Sequence, residues 1–272
     1  MMADETPNLM DYLPEQFALI QARFDRLEAV LSVEPNHPDA APSQIEMDAI
    51  LFAARLCTIK VGDGFGFMMK DDQDDLVVVT AAHCLPHMPP VASASHREER
   101  TYERLLGQLG NKPSIAAVVR FVDPVADIAI LGTPCNQEMP QQTEVYNTLA
   151  KFIRPLRMAR LEFAPKIYTR SNGQTVLGDP EAEADAWLLG LDGEWFSCRV
   201  SCHRGIWISK ALKPLQPGMS GSPIMTREGV IGIVSVSGGG VQDTRLSGPQ
   251  PYLPRSLPGW MLDTPEVDEP AP

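Results

Sequence analysis

Three short stretches of the chain carry side chains that could do chemistry together. Thr80-Ala81-Ala82-His83-Cys84 closes an apolar run, Asp127-Ile128-Ala129-Ile130-Leu131 opens another, and Gly218-Met219-Ser220-Gly221-Ser222-Pro223 is a glycine-bearing turn. A serine hydroxyl becomes an effective nucleophile when an imidazole within hydrogen-bond reach takes its proton and a buried carboxylate holds that imidazole in the right tautomer. His83, Asp127 and Ser220 supply base, orienting acid and nucleophile in that chain order, 44 and then 93 residues apart. The glycines around Ser220 suit the same chemistry, because a sharp turn lets the backbone N–H groups of Gly218 and Ser220 converge on a developing oxyanion.

The elements that must position these groups read as β. Short apolar runs at Leu56–Val61, Gly64–Met69, Leu76–Thr80, Ile115–Val122 and Ile128–Leu131 are divided by Gly and Asp. Comparable runs return at Lys166–Thr169, Ala186–Leu191, Trp195–Ser201, Gly205–Ser209, Pro223–Met225 and Val230–Val236. Many short strands with turn residues between them predict an all-β sandwich or barrel. The two β-rich blocks, residues 47–137 and 158–247, are similar in length and suggest a duplicated architecture without an internal sequence repeat. Between them, 138–157 is a helical connection, with the helix-type run Gln141–Leu161 broken near Pro155. The cluster Asp71, Asp72, Asp74 and Asp75 is expected to be a solvated hairpin loop, because its spacing lacks a calcium-loop pattern.

Outside the β blocks, Phe17, Ile20, Phe24, Leu27 and Leu31 step by three and four and predict an amphipathic helix starting near Pro14, within an N-terminal segment 1–34. Residues 35–46 read as a Pro-rich linker and 248–272 as a Pro-rich acidic tail, with Trp260, Met261 and Leu262 docked on the body. The helix is expected to dock on the barrels or on a partner protein.

Charge and composition narrow the partners. The chain has 272 residues, is 44% hydrophobic and carries a formal net charge of −12, most of it in the two ends. Such a balance argues against nucleic acid or anionic lipid as a partner, and no apolar run reaches the roughly 18 residues of a membrane span. Five cysteines (Cys57, Cys84, Cys135, Cys198, Cys202) and an acidic N-terminus lead to the expectation of a cytoplasmic protein with reduced thiols. Cys198, Cys202 and His203 lack an obvious fourth ligand, so no metal site is expected there.

At the three motifs the chain resembles the chymotrypsin-like (trypsin-fold) serine peptidases, in particular compact bacterial trypsin-like peptidase domains, over about residues 47–247. The resemblance implies two antiparallel six-stranded β-barrels with the site in the cleft between them, here with an added N-terminal helix. It implies His83 as general base then acid, Asp127 as its orienter, Ser220 as nucleophile, and the Gly218 and Ser220 amides as oxyanion hole, with no metal or organic cofactor. It further implies Ser235 near Asp127, and the backbone of Val236, Ser237 and Gly238 pairing with a peptide substrate as an added strand. Pro214 and Leu215 stand where basic-specific relatives place an acid at the pocket floor, so small or apolar side chains are expected there. Two departures follow from the same comparison. The strand Gly64–Met69 offers no cysteine to bridge Cys84, and Met219 replaces the acid that would receive a freed α-amine. The function expected is hydrolysis of protein or peptide bonds by a serine endopeptidase through an acyl-enzyme. The alternatives are a protease-fold peptide-binding or regulatory module without turnover, or an effector protease activated by a partner.

Overall fold

Short apolar strands, most of them buried along nearly their whole length, build two cores, one inside each β assembly. The computed structural model describes residues 44–87, 100–153, 155–169, 175–235 and 247–262. The segment 1–34 with its expected helix, residues 35–43, Val236, Ser237 and the tail beyond 262 lie outside the described residues. A helix the sequence reading did not anticipate, α1 (Gln44–Cys57), precedes the first strand, with Glu46 in its first turn and Arg55 in its last. Those charges complement the helix ends. Among the described residues no helix is long and apolar enough to cross a membrane.

The first assembly comprises β1 (Thr58–Val61), β2 (Gly64–Lys70), β3 (Leu76–Thr80), β4 (Thr101–Gly107), β5 (Ile115–Asp123) and β6 (Ile128–Gly132). They form a closed antiparallel barrel in the order β1-β2-β3-β6-β5-β4. The last strand returns to the first at Lys60↔Gly107 and Val61↔Leu106, so no strand edge is left open. Ile59, Val61, Met68, Val78, Leu106, Val119 and Leu131 fill the interior. Helix α2 (Pro140–Phe152) starts on a proline, as a first-turn position favours, and lays Tyr146, Leu149 and Ala150 on the same core. The Tyr146 hydroxyl donates to the Leu76 carbonyl at 3.0 Å.

The second assembly comprises β7 (Ala164–Thr169), β8 (Thr175–Leu189), β9 (Trp195–Cys202), β10 (Ile206–Ser209), β11 (Pro223–Met225), β12 (Val230–Ile233) and β13 (Ser247–Gln250). Six strands run β12-β11-β8-β9-β10-β13, and β7 pairs with the first half of β8. This curled sheet is not closed by a continuous ladder. Its two outer strands meet at a single bridge between Gly232 and Tyr252, just past β13. The Ser235 N–H reinforces the seam by donating to the Gln250 side chain. Ala186, Leu188, Val200, Ile208, Ile224, Ile231 and Val234 form its core together with Cys198 and Cys202, whose spacing on β9 turns both inward.

A closed six-stranded antiparallel barrel beside a curled six-stranded one is the chymotrypsin-like architecture expected from the motifs. After β13 the chain forms the short helix α3 (Leu253–Ser256) and a single turn at Gly259–Met261. It docks on the first barrel, where the Trp260 carbonyl accepts the Asp72 N–H at 2.9 Å and the ring lies under the Arg120 guanidinium.

The loop Asp71–Asp75 is the exposed hairpin connection expected, except at Asp71. Asp71 is buried, its Oδ1 accepting the N–H groups of Gln73 and Asp75 and its Oδ2 pairing with Arg120 at 2.9 Å. One of the four carboxylates is thus the organising centre of the hairpin, a role the composition of the loop does not disclose.

Candidate functional site

His83 stands on a one-turn 3-10 helix, Ala82–Cys84, immediately after β3. The strand end is anchored by Thr80, fully buried, whose hydroxyl donates to the Phe65 carbonyl at 2.6 Å. The turn is then tied to Asp127 three times. The Ala82 N–H donates to the Asp127 carbonyl at 3.2 Å, the His83 N–H to Oδ1 at 3.0 Å, and Nδ1 of the His83 ring lies 2.7 Å from Oδ2.

Asp127 ends the turn between β5 and β6 with a left-handed backbone, φ +55°. Aspartate tolerates that region better than most residues. Asp123 prepares the turn, its Oδ1 accepting Val125 N–H at 2.8 Å and Ala126 N–H at 3.0 Å. A further donor reaches Asp127 from the second assembly, the Ser235 hydroxyl, which bonds Oδ2. Burial pushes the Asp127 carboxyl up, but the hydrogen bonds from the His83 ring, the Ser235 hydroxyl and the His83 backbone outweigh it and leave the group below its ordinary 3.8. The same contact with Asp127 raises His83 above its ordinary 6.5 against the opposing effect of partial burial.

Ser220 sits in a turn held from inside and outside. Within it, Met219 N–H donates to the Gln216 carbonyl at 3.1 Å and Ser222 N–H to the Met219 carbonyl at 3.0 Å. Met219 is 1% exposed and packs in the second core, an apolar anchor for the turn. From outside, Phe65 N–H on β2 donates to the Ser220 carbonyl at 2.7 Å and the Cys84 thiol approaches the same oxygen at 3.7 Å. Gly221 has φ +80°, and a Cβ there would stand 1.9 Å from the Phe65 carbonyl oxygen. Only glycine fits that approach.

His83, Gly218 and Ser220 line one cleft of about 540 Å³, with Gly62, Asp63, Leu85, Pro86 and Arg104 among its other walls. Among the described residues the Ser220 hydroxyl makes no hydrogen bond to His83, and no acceptor takes the Gly218 or Ser220 N–H. Base and nucleophile are commonly looser before a substrate is bound. Pro214 is exposed and Leu215 is packed in the second core, and neither lines this cleft.

All five cysteines are free thiols. Burial pushes the Cys84 thiol up to about 11, so it remains protonated and able to donate. A Cβ on Gly64 would lie 2.5 Å from the Cys84 sulfur, so the absent side chain makes room for it. Cys198 is pushed up to about 12 by burial. Among the described residues no group of His, Cys, Asp and Glu is arranged to hold a metal ion. Phe65 and Gln250, which position Ser220 and Ser235 through backbone and amide groups, had no signal in the sequence, since one acts by its main chain and the other lies in a Ser-Gly-Pro-Gln run resembling a turn.

No protein-family model matches the chain, and no curated protein does. Among solved structures, the serine protease domain of the Sesbania mosaic virus polyprotein is similar at 16% identity, over 74% of this chain and 92% of that one, with a TM-score of 0.42. A chimeric murine norovirus NS6 protease is similar at 14% identity over 77% and 99%, with a TM-score of 0.32. The MamO protease domain from Magnetospirillum magneticum is similar at 12% over 74% and 94%, with a TM-score of 0.33. At these identities and scores the likeness assigns neither family nor activity.

Proposed function

We propose that the chain is a serine endopeptidase. The observation that carries the reading is the His83–Asp127 pair, 2.7 Å apart, facing the cleft that also holds Ser220. In this reading His83 Nε2 takes the Ser220 proton as Oγ attacks a peptide carbonyl, and the Gly218 and Ser220 amides receive the oxyanion. Asp127 keeps the Nδ1 proton in place and stabilises the imidazolium. His83 then hands its proton to the leaving amine, and water, deprotonated by the same imidazole, hydrolyses the ester. Ser235 supports the carboxylate, and Val236 and Ser237 carry the acyl side of the substrate as an added strand.

A fluorophosphonate probe tests the reading, since only an activated serine is labelled. Labelling of the wild type that disappears in Ser220→Ala and in His83→Ala supports it, and an unlabelled, folded wild type rejects it. The missing hydrogen bond between Ser220 and His83 favours a second reading, a peptide-binding module without turnover. That module would bind peptides yet leave the probe unreacted.

A further inference from the structure

Strand β4 breaks its register where it passes the cleft. Tyr102 faces Ala117 and Leu106 faces Ile115, so Glu103, Arg104 and Leu105 span the width of the single residue Ala116. The bulge turns on Arg104, whose φ of +53° is left-handed, a costly conformation for a long side chain. Bulges beside active sites re-aim side chains, and here the result is an exposed arginine in the wall of the cleft that holds His83 and Ser220. Arg104 has no carboxylate partner among the described residues. Asp63 lines the same cleft and its backbone carbonyl accepts Lys60 Nζ at 2.7 Å, but among the described residues no ion pair joins its carboxylate to Arg104.

We propose that Arg104 is a specificity residue that binds an acidic side chain of the substrate on the leaving-group side of the scissile bond. This rests on the peptidase reading for the position of that bond. With the acyl half paired to the second assembly beyond Ser235, the half that leaves faces the walls supplied by the first barrel, namely Gly62, Asp63, Leu85, Pro86 and Arg104. An unpaired guanidinium on such a wall offers a planar fork of donors matched to a carboxylate. Because the arginine is exposed, the preference is modest and weakens with salt.

The test has one readout without turnover and one with it. A positional-scanning library of short peptides is captured on full-length Ser220→Ala and read by mass spectrometry, while cleavage sites of the wild type are mapped in parallel. Expected is about three- to tenfold enrichment of Asp and Glu at one position, C-terminal to the bond the wild type cleaves. In Arg104→Asn on the Ser220→Ala background, chosen because asparagine tolerates the left-handed backbone, the enrichment falls to about one. Arg104→Glu turns it into enrichment of Lys and Arg. Acid enrichment that survives Arg104→Asn, that lies on the acyl side, or that is absent overturns the proposal. Fluorophosphonate labelling keeps the two ideas apart. Labelled protein without an acid preference removes the arginine site alone, whereas an Arg104-dependent acid preference in unlabelled protein retains the site and removes the peptidase.

Discussion

The first assembly closes by backbone ladder, β4 returning to β1, whereas among the described residues the second is joined at its seam by one bridge, Gly232 to Tyr252, and by the Gln250 side chain. The candidate site is divided along the same line. His83 and Asp127, whose mutual orientation must hold to a fraction of an ångström, stand on two strand ends of the closed barrel. Ser220 comes from a turn of the open one and takes its position from Phe65 on β2. The open half therefore depends on the closed half for placement of Ser220, and the closed half takes from the open one the Ser235 donor to Asp127.

The largest expected effects fall on the proposed triad, which draws Asp127 from the closed half and Ser220 from the open one. On the peptidase reading Asp127→Asn costs on the order of 10⁴ in turnover, because an amide in place of the carboxylate favours the wrong imidazole tautomer. Ser220→Ala removes turnover altogether, and combining the two adds little, since the groups act as one unit. Steady-state hydrolysis of a peptide cut by the wild type measures both. A loss below tenfold for Asp127→Asn would detach that carboxylate from the chemistry.

Next comes the joint between the halves. Gly221→Ala must displace the Phe65 carbonyl that its Cβ would meet at 1.9 Å, besides adopting φ +80°. Gly110, in the loop between β4 and β5 of the closed barrel, has φ +86° with nothing within 4 Å. Alanine at Gly110 thus pays the backbone cost alone, about 1–2 kcal/mol, while at Gly221 overpacking adds about 1–3 kcal/mol and also shifts Ser220. Urea unfolding of both variants, with probe labelling of Ser220, gives the contrast. Equal destabilisation with unchanged labelling would mean that the Phe65 contact does not register the nucleophile.

The seam of the open half is weaker still. Gln250→Leu fills a similar volume but leaves the buried Ser235 N–H without its acceptor, a cost of about 1–3 kcal/mol in unfolding free energy. The accompanying fall in turnover is expected to stay below about tenfold, since Asp127 keeps both of its donors from His83. A variant as stable as the wild type would show that the bridge at Gly232 closes the seam unaided.

What was legible in the sequence follows the same division. Strands that are short apolar runs bounded by turn residues, such as β2, β3, β5 and β6, are legible from composition, and the His83 and Asp127 motifs stand at the ends of two of them. β4 escaped notice because Glu103 and Arg104 interrupt its alternation, and the structure shows why: they form a bulge rather than a regular stretch. β13, Ser247-Gly248-Pro249-Gln250, reads as a turn and becomes a strand by pairing with β10. Helix α1 went unread, and its last residues, Leu56 and Cys57, fell in the apolar run Leu56–Val61 that continues into β1 and reads as strand. Site residues that act through main-chain groups, Phe65 above all, leave no mark on side-chain chemistry and could be found only in three dimensions.

The smallest expected effect is a displacement of pH dependence, and its sign follows from the His83–Asp127 pair. On the peptidase reading His83 serves as a base only when neutral, and Asp127 holds its value above 6.5, so kcat/KM should rise with pH through a midpoint above 6.5. For stability the two groups act in opposite directions. His83, raised on folding, contributes stability fully below 6.5 and loses it as pH climbs through the folded value. Asp127, lowered on folding, contributes fully above 3.8 and loses it as pH falls through the folded value. Both contributions overlap between 3.8 and 6.5, so the stability difference between wild type and Asp127→Asn should peak in that window and shrink on either side. Ser235→Ala removes one donor that lowers Asp127, so the stability lost on acidification below 3.8 should be smaller and complete at a higher pH than in the wild type. Urea midpoints measured across the acid and neutral range decide it, and a difference that does not change with pH would show that the pair is not coupled as its 2.7 Å contact implies.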